Sequence, residues 1–480
     1  MATQPPEASS SASASDHSAP DPCCAGGDEI EHRISTIEAR WLVGLVLVGL
    51  SFRIIVVMLR SADLSTDPDA YIGHATTLLQ NGCYCVPGTS NPTAYRSPFY
   101  PALLALLIGS GLKPSAAAGL VNVVSAALLT IATWWLARFL GLRKSALYIA
   151  TAITALDPLL LRYAALPMTE TLSAMLLTIG VLQLLKGASR IRLGEPTRRI
   201  IRAFALSGLC FGLNGLCRPV ALITCALMCL CGAFLILLRQ APVGTTISTG
   251  RRFLSSSFCL IPGVVCGIIL LPWIVRNQMV FHAFIPATTH GGYTLLLGNN
   301  DVFYREVVMA PGQPVWSGTS LQRWQQDMQQ QAEQAVAGNR SEVSIDRWMY
   351  DTAVQRIAEN GAAFRRACLL RWKRFWATTP EAEAAETGVF LRRILSLWYG
   401  GLWCGLVASL FCMIRRPGDI QLLWIAILSF LLLHTFYWTN ARMRAPLTGI
   451  ICVLGVIGWQ QVYCLFRQPS RRSCPPSAKD

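Results

Sequence analysis

Charge is scarce in this 480-residue chain: Asp, Glu, Lys and Arg make up 14%, against roughly 25% in a soluble domain. With 53% hydrophobic residues and a mean hydropathy of +0.43, that shortage excludes a disordered chain and an ordinary water-soluble enzyme. It points to a polytopic membrane protein. The chain also lacks an internal repeat, and no cleavable signal is expected ahead of the first apolar run. Metal-ligand spacing is missing too, since neither His74 nor His290 has a second ligand at helical spacing, so neither a metal ion nor a cofactor is expected. Acidic residues are the rarer sign, 26 against 41 basic ones, for a net charge of +15. In a soluble protein that balance would suggest nucleic acid. Here the basic residues fall between apolar runs, so they read as topology signals and contacts to anionic membrane lipids, with no nucleic-acid partner.

Cysteine, by contrast, is plentiful. Most of the 17 lie inside apolar runs, as Cys210, Cys217, Cys225, Cys229, Cys231, Cys259 and Cys266 do, where a thiol behaves as a small hydrophobe. Cys83 and Cys85 flank Tyr84 in a polar loop; a pair so close is strained as a disulfide and half a metal site, and no role is assigned to it.

Runs long enough to span begin at Trp41–Leu59 and recur at about 115–137, 145–162, 167–185, 203–217, 219–238, 257–275, 394–414, 420–438 and 445–466. The expected fold is therefore all-α, with about ten transmembrane helices and helices in the extracytoplasmic loops. Pro98–Leu112 is ambiguous, being short and bounded by Pro98, Pro101, Gly109 and Gly111. Charge parity resolves it. If it does not span, Arg138, Arg143 and Lys144, then Lys186 to Arg202, then Arg239, Arg251 and Arg252, then Arg415 and Arg416, and finally Arg467, Arg471 and Arg472 all fall in the cytoplasm, as the positive-inside rule requires. The stretch is read as a re-entrant or interfacial helix.

The resulting organisation is a disordered, Ser- and Ala-rich cytoplasmic tail (1–36), an N-terminal transmembrane module (37–275) with a first outer loop (60–114), an extracytoplasmic segment (276–393), C-terminal transmembrane helices (394–466) and a basic cytoplasmic tail (467–480). Within the large outer segment, residues 362–376 space Phe364, Cys368, Trp372 and Phe375 along one helix face, with five basic residues mostly on the other. This reads as an amphipathic helix lying in the membrane interface, with a helix packed inside a lobe as the alternative.

Ionisable groups collect at the outer face: Asp67 and Asp69, Arg96, Glu170, Arg218, Arg276, and Arg442 with Arg444. Carboxylates and guanidiniums together suit attack on a sugar held by a lipid phosphate. A carboxylate takes the proton of the attacking hydroxyl, and cations stabilise the departing phosphate. Each residue also has a structural reading: Asp67 as a cap for the helix beginning at Tyr71, Glu170 as a cap for the fourth span, and the arginines as interface anchors.

The ordered series DPDAY, HATTLLQNG, PTAYRSPFYPALLALL, DPLLLRYAALPMTETL, GLCFGLNGLCRP, PWIVRN with GGYTLLLGNND, and ARMRAP resembles the bacterial membrane glycosyltransferases of the C superfamily. The nearest branch is that of the dolichyl-phosphate-mannose protein mannosyltransferases and aminoarabinose transferases, glycosyltransferase family 39-like. The resemblance covers about residues 40–460. It implies a polyprenyl-phosphate sugar donor, a lipid, polysaccharide or protein acceptor, inverting transfer, and an extracytoplasmic active site in the bacterial inner membrane. It implies a catalytic carboxylate four positions before a tyrosine, here Asp67 before Tyr71, with Asp69 beside it and Glu170 in the family's TE position. Arg96, Arg218, Arg276, Arg442 and Arg444 are the candidates for the donor phosphate, and Tyr71, Tyr95, Asn277, Tyr293 and Asn299 for the substrate pocket. A transporter or flippase of lipid-linked sugar is the alternative of another class; it predicts ionisable groups in interrupted helices near mid-membrane. A scaffold that has lost activity is the third reading.

The topology carries a direct test. Accessibility tags at residues 195 and 247 are expected to report cytoplasm, and a tag near 335 the outside. An outside signal at 195 would overturn the ten-span arrangement.

Overall fold

The computed structural model describes residues 34–238, 256–338, 341–379, 388–415 and 418–467. Most of both expected tails lies outside the described residues, as do Arg239, Arg251, Arg252, Arg416, Arg471 and Arg472. The described chain is helical, with one isolated antiparallel bridge, Cys85 to Pro92.

The N-terminal helices are α1 (Thr36–Leu59), α2 (Tyr71–Asn81), α3 (Phe99–Gly109), α4 (Pro114–Phe139), α5 (Lys144–Ala155), α6 (Pro158–Ala164), α7 (Glu170–Arg192), α8 (Thr197–Gly215), α9 (Val220–Leu238) and α10 (Ile261–Phe281). Nine helices or helix pairs among the described residues are long and apolar enough to cross a membrane. Ten were expected. The one that falls short is α8, whose 19 residues reach about 28 Å but whose first turns carry Arg198, Arg199 and Arg202. It is packed between α7 and α10. α3 has 11 residues and at 1.5 Å per residue, about 16 Å, cannot cross a hydrocarbon core of about 30 Å. The stretch expected not to span is this helix.

The span expected at 145–162 is two helices, and the break has a local cause. Pro158 has no N–H, and Asp157 accepts from the Leu160 N–H at 3.0 Å, starting α6. Leu159 N–H turns to the Tyr399 hydroxyl at 3.2 Å instead of continuing the ladder. That leaves the Ala155 carbonyl to Arg53 on α1, whose guanidinium donates to it. Gly49 lets the two helices approach, because a Cβ there would lie 3.0 Å from that of Ala155. Arg53 and Asp157 are 1% and 2% exposed, and sequence reading singled out neither.

Outside the bundle, α11 (Gly291–Gly298), a turn through Val308, α12 (Gly318–Ala335), α13 (Glu342–Glu359) and α14 (Gly361–Phe375) build a lobe around Leu296, Phe303, Trp316, Trp324, Met349 and Ala367. α14 is the helix read as lying in the interface, and its buried face differs from the one expected. Ala363, Ala367, Leu370, Arg371, Arg374 and Phe375 face inward, whereas Trp372 is 46% exposed. Two of the five basic residues turn inward because carbonyls receive them: Arg371 donates to Thr435 and Gly298, Arg374 to Gln313 and Pro314. In the first outer loop Cys83 and Cys85, given no role from sequence, are joined as a disulfide.

The C-terminal helices are α15 (Val389–Arg415), α16 (Asp419–Phe436) and, after a 3-10 turn at Ala441–Leu447, α17 (Thr448–Arg467). α15 and α17 meet through glycine: a Cβ on Gly458 would come within 1.8 Å of the Gly405 carbonyl oxygen and 2.7 Å of the Ser409 amide. Small residues at such a crossing let backbones pack directly in lipid. Gly458→Ala is expected to force the pair apart and cost about 1–3 kcal/mol, read as a lower melting temperature in detergent. An unchanged Tm would mean that the crossing is not tight.

Candidate active site

Local sequence places each group at or near a helix end. Asp67 and Asp69 precede α2, in a turn whose Ala70 has a left-handed φ of 59° and offers no side-chain cap. Asp67 supplies the cap from a distance: Oδ2 accepts the Gly73 N–H at 2.8 Å. Its other oxygen, Oδ1, is buried without a hydrogen-bond partner among the described residues. The capping reading of Asp67 is met by Oδ2, and Oδ1 takes no part in it.

Asp69 is fully engaged. Arg96 Nη2 donates to Oδ1 at 2.9 Å and Arg442 Nη2 to Oδ2 at 2.6 Å. Burial raises the Asp69 pKa, but Arg442 and Arg96 outweigh it and hold the carboxyl below its ordinary value. Glu170, at the first position of α7, is buried and accepts through Oε1 from Arg218 Nη1 at 2.9 Å and from Arg442 Nε, while Oε2 has no partner among the described residues. It does not cap its helix. Arg442 thus links the two carboxylates, and Arg96, Asp69, Arg442, Glu170 and Arg218 form one continuous chain of ion pairs.

Around this chain lies an aromatic wall. The Arg96 guanidinium sits over the rings of Tyr71 and Tyr95 at 5.9 and 5.3 Å. Tyr71 meets Tyr100 edge-on. His290 is held between Tyr95 and Tyr293, at centroid distances of 4.3 and 5.1 Å. Burial, with the charge of Arg96, pushes the His290 pKa down to about 3, so the ring is neutral near pH 7. Tyr293 also bonds Gln325 through its hydroxyl, at 2.6 Å.

Four residues expected here are placed elsewhere. Arg276 donates to the carbonyls of Thr93 and Tyr84 and lies over Trp273 and Phe281, so it supports the first outer loop from behind. Arg444 donates to the Phe375 carbonyl and stacks on Tyr399 and Trp403. Asn277 and Asn299 are wholly buried and hold backbone carbonyls of Ile285, and of Leu295 and Phe436. In each case backbone carbonyls, near helix ends for Arg444 and Asn299 and in loops for Arg276 and Asn277, take the donor that had been assigned to substrate.

Sequence reasoning missed Glu342, at the start of α13. It accepts from Thr93 Oγ1 at 2.6 Å, from the Ala94 N–H at 2.9 Å and from Thr289 Oγ1. The lobe is thereby stapled to the loop that carries Tyr95 and Arg96. The local signal, an acidic residue after the Ser341 cap, marks a helix start and says nothing of a distant partner. Asp346, one turn on, accepts the Gly292 N–H at 2.7 Å. Among the described residues no three His, Cys, Asp or Glu side chains are grouped as metal ligands.

No family model and no curated protein matches this chain. Solved structures do. The oligosaccharyltransferase of Archaeoglobus fulgidus in its apo form superposes with a TM-score of 0.54 at 16% identity, over 90% of this chain and 52% of that one. The chain has that membrane fold. The same enzyme, AglB, in complex with an inhibitory peptide and a dolichol-phosphate gives 0.52 at 14% identity, again over 90% and 52%. The form tethered to an acceptor peptide gives 0.53 at 15% identity, over 89% and 50%. This chain spans about half the length of these enzymes.

Glu342→Ala leaves two hydroxyls and one amide without their acceptor. It should cost about 2 kcal/mol locally, roughly thirtyfold in hydrogen-exchange protection across residues 84–97. Unaltered protection there would remove the staple.

Proposed function

We propose that this protein is a membrane glycosyltransferase of the inner membrane that moves a sugar from a polyprenyl-phosphate donor to an acceptor hydroxyl on the extracytoplasmic side. The observation that carries this reading is the pairing of three guanidiniums with two carboxylates beside a third carboxylate, Asp67, whose Oδ1 meets no hydrogen-bond donor among the described residues. A guanidinium has five N–H donors, so Arg96, Arg218 and Arg442 retain donors for a phosphate after binding Asp69 and Glu170. Their excess positive charge favours the anion that leaves.

Asp67 Oδ1 takes the proton of the acceptor hydroxyl as its oxygen attacks the anomeric carbon, and the bond to the lipid phosphate breaks on the opposite side. One in-line displacement inverts that carbon. Asp69 and Glu170, neutralised by arginine, serve to position those cations, since a carboxylate held charged by two guanidiniums is a weak base. Tyr71, Tyr95, His290 and Tyr293 offer ring faces and hydrogen-bonding edges suited to a sugar. The fold is that of an enzyme solved with a dolichol-phosphate, which supports a lipid-linked donor. A lipid, a polysaccharide and a protein all remain acceptors compatible with these groups.

The transporter reading has one observation in its favour, the interrupted helix at Asp157 with Arg53 nearby. Both Asp157 oxygens, however, are occupied, by the Leu160 N–H and the Tyr399 hydroxyl, which suits a structural joint.

Asp67→Asn keeps shape and removes proton acceptance. Transfer from a radiolabelled polyprenyl-phosphate sugar should fall roughly 100-fold or more with donor binding intact, and Asp69→Asn should cost less. An active Asp67→Asn enzyme beside a dead but folded Asp69→Asn enzyme would exchange their roles. Arg442→Ala, which breaks the link between the two carboxylates and leaves each with one arginine, is expected to lose about 2–5 kcal/mol of transition-state stabilisation, with poor rescue by Lys. Normal turnover in the Ala variants of Arg96, Arg218 and Arg442 together would place the phosphate elsewhere.

A further inference from the structure

On the opposite side of the bundle, α5, α15 and α17 separate around a cavity of about 730 Å³, inside the roughly 300–1,000 Å³ range of ligand sites. The glycine crossing that clamps α15 to α17 does not extend to α5. Ala146, Ile149 and Ile153 from one face of α5 therefore confront Trp398 and Leu402 of α15, and Val456, Trp459 and Tyr463 of α17, across open space. Ile149, Trp459 and Tyr463 are each about half exposed, so the cavity opens toward the side of the bundle, where the bilayer lies.

Its two ends differ in chemistry. The deep end, at Ile153 and Trp398, is apolar but for the Trp398 indole N–H, which has no partner among the described residues. The other end holds Arg143, Ser145 and Gln460, with Gln460 Oε1 accepting the Arg143 N–H at 3.1 Å. α5 begins here without a side-chain cap, and its dipole favours an anion at this end. Among the described residues Arg143 lines this end, and Arg138 and Lys144 beside it pair with Glu38. From Arg143 to Ile153 the helix rises about 15 Å, one leaflet's hydrocarbon depth, and by charge distribution the polar end is the cytoplasmic one.

We propose that this cavity binds one phospholipid of the inner leaflet with an anionic headgroup, its acyl chain between Ile149 and Trp459 and its phosphate at the start of α5. Trp459 is held against α15, its indole N–H donating to the Gly401 carbonyl at 2.8 Å. The site is distinct from the arginine cluster, and its occupancy does not depend on the proposed transfer activity.

Native mass spectrometry of the full chain, released from nanodiscs of equimolar phosphatidylcholine and phosphatidylglycerol, tests it. One phosphatidylglycerol should be retained over phosphatidylcholine by about fivefold, the preference one basic group confers at a membrane surface. Ile149→Trp fills the cavity from an exposed position and should abolish that retention, whereas Leu106→Trp, on the exposed side of α3, should not. Arg143→Gln should keep a lipid but lose the preference. Equal retention of both lipids, undiminished retention by Ile149→Trp, or displacement of phosphatidylglycerol by equimolar undecaprenyl phosphate would each overturn the proposal.

Discussion

Arg442 holds two carboxylates that reach one end of the bundle on different elements, Asp69 from the loop before α2 and Glu170 from the start of α7. The rest of the site depends on that bridge. A buried charge without a partner is costly, so once Arg442 is fixed by its 3-10 turn the two carboxylates have only one low-energy arrangement, and Arg96 and Arg218 are drawn in on the far sides. Tyr71 and Tyr95 then follow, because Arg96 lies across their rings, and His290 packs edge-on against Tyr95. The bundle supplies the frame: α7 packs against α4 and α8, and the turn carrying Arg442 sits on α7.

Two further polar devices keep the frame in place without joining the chemistry. Arg276 reaches the carbonyls of Tyr84 and Thr93 from below the first outer loop, and Glu342 binds the same loop from the lobe above. The loop that presents Arg96 is therefore held from both sides. Within the bundle, Arg53, Asp157, Tyr399 and Arg444 manage the joint between α5 and α6, where Pro158 leaves helix-end groups that need partners in a medium without water. Their cost of burial is offset by hydrogen bonds to backbone, a use of charge that resembles a functional site in sequence and differs from one in its partners.

Much of the architecture was legible. Length and apolarity marked the spanning helices, and brevity set α3 apart from them. The limits were local. Three arginines made α8 less apolar than its neighbours, a Pro with an Asp before it divided one span in two, and the periodicity of residues 362–376 put Phe364, Cys368 and Trp372 on a common face although carbonyls at Thr435, Gly298 and Gln313 drew Arg371 and Arg374 inward.

The sequence by itself determined that this is a helical membrane protein, in what order its motifs run and at which helix ends its charges stand, since these follow from hydrophobicity and charge read along the chain. Only the tertiary structure decided which arginines meet which carboxylates. Arg96 is 27 residues from Asp69, Arg218 is 48 from Glu170, and Arg442 is 272 and 373 from its two partners. No spacing rule distinguishes it from Arg444, two positions on. What separates them is the direction of one turn: it aims Arg442 at the outer carboxylates and Arg444 at the carbonyl of Phe375, and that direction is set by packing.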